Sequence, residues 1–371
     1  MDCVEASKHT LDRWEHAGVA SLDEVLPLAS PPGSVVSRAD YEGGVTELKL
    51  SNGMTVCLKP TRFLDDEVQF KAFALGGLSE LQGSDDLISA RLSASIAGEL
   101  GAFGVPNDEL VDMTAGMRAS VSTDIKTYSR VFTGECSPSD LWAALRMVNL
   151  LFRAPLTPTH ERLEVLIRMM KEQTENQFRS PQVVFAQRCL TINTSDSPFW
   201  RPILPSHLSK VSPEYACSFF KHCFNDPSEF TLIICGNFEV ESVVDLINGH
   251  ISNIPRPPPG RGSSSQIPKN RHRLPPLPSE RDALSPVEGS FPSKSVTEQV
   301  RMTMVDPLCC TKVTLPIAVP SGKGELEESI LLSHAMQVMS PLVSQTSVGP
   351  WDLDPAKLAR ARRALWSGLL P

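Results

Sequence analysis

Few residues in this sequence have the types and spacing that catalysis or metal binding requires. His9, Glu15 and His16 lie close together near the start of the chain. A zinc site of the His-x-x-Glu-His type needs its first histidine at the position that Asp12 occupies here. The surrounding residues also lack a helical period that would aim such ligands. Two interpretations remain, a weak metal site and a group of solvated residues, and the residue types favour the second.

A second set of metal-ligand types falls on one predicted helix. Cys217, His222 and Cys223 stand at i, i+5 and i+6, and this spacing does not place them on one helix face as an i, i+4 spacing would. We interpret the two cysteines as core residues and the histidine as a residue at the rim of the core. The other histidines considered are isolated in the sequence: His160, His207, His250, His272 and His334.

Motifs for nucleophilic and nucleotide chemistry are absent. No Gly-x-Ser-x-Gly string occurs, and the glycines between Gly98 and Gly104 lack the Lys-Ser or Lys-Thr of a phosphate-binding loop. The sequence therefore predicts no catalytic residue, no cofactor-binding residue and no metal ligand in this chain.

Composition limits the class of protein. The chain has 371 residues, of which 41% are hydrophobic, and this is enough for two domains with their own cores. The formal charge of -8 and a pI near 5.6 argue against a nucleic-acid partner, because phosphate binding requires a clustered basic face. No apolar run approaches the ~20 residues that cross a bilayer, so we expect no membrane span.

Cysteine usage and the first residues bear on the compartment. Nine cysteines, an odd number without paired spacing, are typical of a reducing compartment. Residues 1–5 are acidic, whereas a signal or transit peptide is basic or poor in acidic residues. We expect a chain that either stays in the cytosol or lacks its true beginning; in the second case the interior of an organelle, a plastid or mitochondrion, stays open, and secretion is not expected.

The pattern of strands begins after a segment without periodicity. Residues 1–42 predict a linker or an arm. Residues 45–50 and 54–59 alternate as strands, and Asn52-Gly53 between them predicts a tight hairpin, because both residues tolerate positive φ. The other predicted strands cover residues 68–75, 117–125, 127–134 and 230–235.

Three predicted helices begin with the same chemistry. Ser137-Pro138, Thr157-Pro158 and Ser212-Pro213 each place a capping hydroxyl before a proline at the first helical position. Further helices are predicted over residues 86–100, just after residue 106, and over 160–178 and 241–251. Strands, then helices, then strands again predict an α+β domain over residues 43–255 and not a doubly wound parallel sheet.

The remaining residues divide into three parts. Residues 256–297 are rich in proline and predict an extended linker, whose basic residues act as a solubilising hinge or adjust how two domains open. Strands over 298–305 and 311–319 and a helix over 325–343 predict a partial second domain at 298–345. Residues 346–371 predict an irregular basic tail. The basic residues of the linker are Arg256, Arg261, Lys269, Arg271 and Arg273.

Several short strings occur in the order and approximate spacing of one family. They include Gly-Val-Thr-Glu-Leu at 44–48, Leu-Ser-Asn-Gly-Met at 50–54 and Ala-Leu-Gly-Gly-Leu-Ser at 74–79. Others are Cys-Ser-Pro-Ser-Asp-Leu at 136–141, Arg201-Pro202, and 230–237 followed by Phe238. On these strings the chain resembles the insulinase-type (pitrilysin-type) zinc peptidases, in their PqqL-like branch, over about residues 25 to 345.

The resemblance implies a fold, and it implies different roles for the two halves of the peptidase. Such peptidases have four similar α+β domains, each an antiparallel-rich sheet packed with helices as in mitochondrial processing peptidase. The first half carries the zinc motif with its general base, and the second half closes a chamber around the peptide. Residues 87–94, where the motif would lie, contain no His and no Glu. An Arg and a Tyr that the fourth domain usually contributes cannot be carried over, since residues 346–351 read Thr-Ser-Val-Gly-Pro-Trp.

The resemblance therefore implies the C-terminal, non-catalytic half, followed by a truncated second copy of the domain. This chain would bind no cofactor itself, and zinc is expected in the missing catalytic half. The implied partners are a peptide substrate and the N-terminal zinc-bearing half, in the same chain or as a separate subunit. The alternative is a catalytically dead family member that acts as a scaffold or assembly subunit.

Overall fold

The computed structural model describes residues 21–28, 32–81, 86–156, 160–257, 292, 294–302, 330–331 and 334. The chain divides into two compact units, Met1–Cys310 and Thr311–Pro371. In the second unit the described residues are Ile330, Leu331 and His334, which are helical and exposed. The architecture below is that of the first unit.

One mixed sheet organises the described part of this unit, with its strands in the order β1-β2-β3-β7-β4-β6-β5. Strands β3 and β7 pair in parallel, and the other neighbours pair antiparallel. The predicted α+β class is thus confirmed. The strands are β1 (Val35–Tyr41), β2 (Val45–Leu50), β3 (Thr55–Pro60), β4 (Val68–Leu75), β5 (Ala119–Ile125), β6 (Ser129–Cys136) and β7 (Thr231–Gly236).

The helices pack on one face of this sheet, where buried residues of β4, α5, α9 and α10 share one hydrophobic core. Short 3-10 turns cover Leu78–Leu81, Pro138–Asp140 and Pro227–Glu229. The described helices are α1 (Leu22–Val25), α2 (Leu87–Arg91), α3 (Ser93–Leu100), α4 (Asn107–Met113), α5 (Leu141–Arg153), α6 (His160–Gln177), α7 (Pro181–Asn193), α8 (Pro205–Leu208), α9 (Pro213–Cys223) and α10 (Val240–His250).

Strand β4 shows how the sequence distinguishes the two faces of the sheet. Its side chains alternate strictly between buried and exposed, as the period of two in a strand requires. The buried set begins at Val68 and faces the helices, while Phe73 and Leu75 belong to the other set and are 42% and 47% exposed. We call the side of the sheet that carries Phe73 and Leu75 the open face.

Strand β7 joins the two parts of the sheet and ends at a glycine that the packing requires. Gly236 has φ +149°, and a Cβ built on it would lie 2.4 Å from the carbonyl oxygen of Glu67 and 2.6 Å from Cα of Val68. Any side chain would therefore separate β7 from the start of β4. The next residue, Asn237, donates from Nδ2 to the carbonyl oxygen of Asp65 at 2.7 Å.

The Asn-Gly hairpin forms, but asparagine acts differently from its predicted role. Gly53 has φ +91°, whereas Asn52 is not among the described residues with positive φ. The Asn52 side chain is instead buried, and its Nδ2 donates to the carbonyl oxygens of Ile251 at 2.9 Å and Ile254 at 3.2 Å. A local turn residue thus also ties β2 and β3 to the segment after α10.

Residues before position 43 belong to the fold, so the prediction of a linker or arm over residues 1–42 is wrong for its described part. Strand β1 pairs with β2, and Leu22 of α1 is 2% exposed in the core. Arg146 of α5, fully buried, forms an ion pair with Asp23 at 3.2 Å. Arg153 donates to the carbonyl oxygen of Pro27 at 2.9 Å. Tertiary contacts of this kind leave no periodic signal in a short segment.

The helix starts were predicted well where they are described. The hydroxyl of Ser137 accepts from the Asp140 amide at 3.2 Å, and that of Ser212 accepts from the Tyr215 amide at 3.3 Å. Thr157-Pro158 lies outside the described residues. The helix predicted over 86–100 is two helices, α2 and α3, which are separated at Leu92.

The second predicted unit is mostly outside the described residues. Of the strand predicted over 298–305, residues 298–302 are described and form no strand. The strand predicted over 311–319 and the tail over 346–371 lie outside the described residues, as does most of the helix predicted over 325–343. The partial second domain therefore stays a prediction.

A buried arginine connects the sheet to α9. Arg130 of β6 has a side chain that is 1% exposed and forms an ion pair with Glu229 at 2.8 Å. It also donates to the carbonyl oxygens of Leu75 at 3.1 Å and Cys223 at 2.9 Å. Its guanidinium carbon lies 5.4 Å from the centre of the Phe230 ring. Nearly all of the charge is thus compensated inside the protein.

A second acid lies close to this arginine. Glu80 accepts from the Gly77 amide at 2.9 Å through Oε1, while its buried Oε2 has no hydrogen-bond partner among the described residues. Burial raises the pKa of Glu80 to about 7, against the lowering effects of the Gly77 amide and of Arg130, and Glu229 raises it further. Glu80 therefore titrates near neutrality.

Replacing Arg130 should destabilise the fold strongly. We expect Arg130→Gln to lower the free energy of unfolding by about 3–5 kcal/mol, because it leaves Glu229 without its partner and buried carbonyls without donors. Urea denaturation measures this change. Arg118→Gln is the control, since Arg118 is 54% exposed in its pair with Asp66 and should change stability by less than about 0.5 kcal/mol. Equal effects of the two substitutions would contradict the assigned role of Arg130.

Stability should also depend on pH through Glu80. Its pKa is about 7 in the folded chain against an ordinary value of 4.5, so the folded state binds a proton that the unfolded state has lost. The stabilising contribution is present below about pH 4.5 and disappears as the pH rises through about 7. Glu80→Gln should flatten this slope and raise stability at pH 8 by about 1 kcal/mol. Denaturation profiles with the same slope in Glu80→Gln and in the exposed control Glu99→Gln would rule this out.

Candidate functional site

The helices α2 and α3 stand where the resemblance places a zinc motif. Their buried hydroxyl groups are used inside the protein: Ser89 accepts from the amide of Ser212 at 3.0 Å, and Ser93 donates to the carbonyl oxygen of Ala90 at 2.6 Å. These bonds connect α2 to the start of α9 and close the turn between α2 and α3. The two serines therefore hold helices together and are not free to act as ligands.

The side chains of these helices do not fit a zinc ion. Zinc in proteins prefers Cys, His and carboxylate ligands, and Glu99, which is exposed, is the single residue of these types on α2 and α3. In the part of the chain that the structure describes, no group of three or more His, Cys, Asp or Glu residues is arranged to hold a metal ion. We therefore derive no metal chemistry from these residues.

The cysteines of α9 lie where the sequence interpretation put them. Cys217 is 3% exposed and Cys223 is fully buried. Burial raises the pKa of the Cys217 thiol to about 12, with a smaller effect of Glu214 in the same direction, and burial also raises the pKa of Cys223. Both thiols are therefore protonated and act as small core residues.

The isolated histidines do not meet in one described site. His250 is half-buried at the end of α10, where burial and Arg146 lower its pKa while Asp23 raises it. His334 is exposed. The side chain of His160 lies outside the described residues, as do His272, His9, Glu15 and His16.

A cluster of cationic side chains was missed by the sequence interpretation. Arg91, at the end of α2, donates to the carbonyl oxygen of Pro198 at 3.1 Å. Arg201 donates to the carbonyl oxygen of Asp196 at 3.0 Å. Both guanidinium groups thus attach to one loop, residues 194–201, at carbonyls only two residues apart. We call the guanidinium groups of Arg91 and Arg201, together with the neighbouring imidazole of His207, whose lowered pKa favours its neutral form, the cationic cluster.

The pKa shifts show that the members of the cationic cluster act on one another. Burial first, and then Arg201, lower the pKa of Arg91. Burial lowers the pKa of His207, and Arg201, Lys210 and Arg91 lower it further. His207 accepts from the amide of Leu204 through Nδ1 at 3.1 Å, so the neutral ring carries its proton on Nε2.

The loop that holds the cationic cluster has an unusual backbone. Ser195 and Asp196 have φ values of +49° and +57°, and they are the non-glycine residues with positive φ among those described. Two successive left-handed residues without glycine are uncommon and costly, and such strain often marks ligand sites. The string Arg201-Pro202 was visible in the sequence, but its nearness to Arg91 was not.

The open face of the sheet forms a shallow groove with a volume of about 580 Å³. Most of the side chains that line it are polar, and the apolar Ile233 of β7 is 40% exposed. Strand β5 lies at the edge of the sheet, where it pairs with β6 alone. The groove is lined by Gln69, Phe70, Lys71, Ser120, Ser122, Thr133, Gly134, Glu135, Ile233 and Cys235.

The described helices were also compared with the dimensions of a bilayer. None of them combines the length and the apolar character that a membrane-crossing helix needs.

Comparison with known proteins gives one curated relative and a shared fold. No family model matches the chain. A protein described as "Zinc protease PQQL-like" from Arabidopsis thaliana is 36% identical over 310 residues, which are 83% of this chain and 28% of that protein. This chain therefore spans little more than a quarter of its relative's length.

Two solved structures share the fold at low identity. They are the periplasmic protease PqqL from Escherichia coli and the ferredoxin protease FusC in complex with Arabidopsis ferredoxin. Each has a TM-score of 0.51 and 17% identity, and each match covers 62% of this chain and 25% of the other. On this sequence identity and this fold, the chain belongs to the insulinase-type (pitrilysin-type) zinc metallopeptidase family, in its PqqL-like branch.

Proposed function

We propose that this chain is the non-catalytic, substrate-enclosing part of an insulinase-type zinc metalloendopeptidase. Peptide-bond hydrolysis then takes place at a zinc ion held by another part, the zinc-bearing half, either in one continuous protein or in a separate subunit. The single observation that carries the proposal is the pair α2 and α3, which has the family's fold around it and the wrong side chains for zinc.

The hydrogen bonds that the hydroxyl groups of Ser89 and Ser93 make inside the protein support this proposal. A helix that had only lost its ligands would leave polar groups or space at the former site. Here the hydroxyl of Ser89 accepts a hydrogen bond across to α9, and Ser93 is fully buried. The helices are thus adapted to packing, as expected for a domain that shapes a chamber and does not cut.

The open face supplies a surface suited to an extended peptide. It carries the exposed apolar side chains of Phe73 and Ile233, and Ile233 lines the groove together with Lys71 and Glu135. Such a mixture can contact a peptide backbone and varied side chains without selecting one sequence. The relative is described as a zinc protease and FusC as a ferredoxin protease. From these two descriptions we infer only that this chain takes part in peptide hydrolysis.

A reconstitution assay tests the proposed function. The pure chain is mixed with the separately expressed remainder of the Arabidopsis relative, the zinc-bearing segment of this proposal, which lies outside the 310 matched residues. Cleavage of a fluorogenic peptide is followed with and without 1,10-phenanthroline. We expect no chelator-sensitive cleavage by the chain alone, because α2 and α3 hold no zinc ligands. The mixture should cleave faster than the zinc-bearing segment by itself, since the chain completes the chamber.

Two outcomes would count against this function. Chelator-sensitive cleavage by the pure chain would show that it has its own active site. A stable complex that cleaves no faster than the zinc-bearing segment would instead support a scaffold or assembly subunit. The chain heated above its unfolding transition and cooled serves as the negative control in both measurements.

Substitutions on the open face test whether it contacts the peptide. We expect Ile233→Glu to lower kcat/KM of the reconstituted peptidase about tenfold, because it puts a charge where an apolar contact with substrate forms. Val165→Glu on α6 is the matched control, since Val165 is 43% exposed and Ile233 is 40% exposed. If both variants keep the full rate, the open face does not line the chamber.

A further inference from the structure

We propose that the cationic cluster of Arg91, Arg201 and His207 binds a carboxylate of the peptide, from an acidic side chain or from its C-terminus. This inference rests on the proposed function, because it assigns the class of peptide that the chain receives. It uses residues that the zinc chemistry does not involve.

The geometry brings two guanidinium groups to one place. Arg91 comes from α2 and Arg201 from the loop before α8, and each spends one nitrogen on a carbonyl of residues 194–201. A guanidinium has five N–H donors, so the described residues leave most donors of both groups for a ligand. Paired guanidinium groups match the two oxygens of a carboxylate better than lysine does.

The charge around the cluster is not balanced by the described residues. One carboxylate, that of Asp196, lies within 4 Å of these cations in the described part of the chain, with Oδ1 3.7 Å from Nε of Arg201. Nε of Arg201 is buried and has no hydrogen-bond partner there. Lys210 adds a further positive charge beside His207. Two cations placed this close together repel each other, and an anion between them relieves the repulsion.

The cluster is both fixed and accessible. The Ser212 amide bonds to Ser89, which holds the start of α9 against α2. The strained residues Ser195 and Asp196 set the direction of the loop carbonyls that hold the arginines. The Arg201 side chain is 41% exposed, so a ligand can reach it from solvent. A preformed site of this kind loses little entropy when it binds an anion.

The formal charge of -8 favours a peptide carboxylate over a nucleic acid as the ligand. A polyanion would be repelled by the acidic surface, whereas a single carboxylate needs only the local positive field of the cluster. Free phosphate shares part of this chemistry, and the test therefore includes it as a competitor.

The test measures binding of labelled peptides to the full chain by fluorescence anisotropy. Four short fluorescein-labelled peptides differ in one internal residue, Glu or Gln, and in a free or amidated C-terminus. We expect the affinity to fall about tenfold when the recognised carboxylate is removed. Loss on Glu-to-Gln exchange identifies a side-chain carboxylate, and loss on amidation identifies the C-terminus. Equal binding of all four peptides would overturn the proposal, as would displacement of the labelled peptide by inorganic phosphate at a lower concentration than the same unlabelled peptide requires.

Variants of the chain link the binding to the cluster. Arg91→Gln and Arg201→Gln should each weaken the preferred peptide about tenfold, while Arg91→Lys and Arg201→Lys should retain part of the affinity. Arg179→Gln, at an exposed arginine after α6, is the matched control. Circular dichroism verifies that each variant is folded, and the lysine variants keep the test valid if a glutamine variant unfolds. Variants that all bind like Arg179→Gln would refute the site.

Binding and cleavage separate this inference from the proposed function. Binding of acidic peptides without any gain of cleavage in the reconstitution assay would remove the proposed function and leave the carboxylate site. Faster cleavage in that assay would support the proposed function. If wild type and Arg201→Gln then bind acidic and neutral peptides equally well, the carboxylate site is removed and the proposed function is kept.

Discussion

The architecture depends on strand β7 lying between β3 and β4. Without it, the described strands would separate into two groups, β1-β2-β3 and β6-β5 with β4, and each group would expose an unpaired edge. The strand comes from residues 231–236, long after its neighbours in the chain. Its final glycine allows contact with the start of β4 that any side chain would prevent. Assembly of the sheet therefore requires contacts between segments that are far apart in the sequence, and such contacts slow folding.

Buried polar groups fix the parts that hydrophobic packing leaves free to slide. Arg130 joins β6 to the end of β4 and to the segment after α9, Arg146 holds α1 on α5, and Asn52 ties the first hairpin to the end of α10. Each of these side chains has several hydrogen-bond partners in the protein in place of water. A shift of the packed elements would break these bonds and leave a buried charge or amide unpaired. Hydrophobic contact alone does not specify such a unique arrangement.

The helices α2 and α3 and the cationic cluster next to them are also held by hydrogen bonds of polar side chains. The hydrogen bond between Ser89 and Ser212 joins α2 to the start of α9, and Ser93 closes the turn between α2 and α3. Beside them, Arg91 and Arg201 approach one strained loop and leave a local excess of positive charge on an acidic chain. This part of the fold therefore combines helices held by buried hydroxyl groups with a positively charged surface next to them.

The sequence by itself determined the α+β class, most strand and helix positions, and the lack of zinc ligands in residues 87–94, because alternation, Ser-Pro starts and residue types are local properties. It did not reveal β1, the α2–α3 break or the second role of Asn52. Nor did it reveal that Arg91 and Arg201 meet. Those features depend on pairing between distant segments, and a periodic pattern carries no information about which distant segment supplies the partner. Only the tertiary structure decided them, because it brings segments that are distant in the sequence into contact.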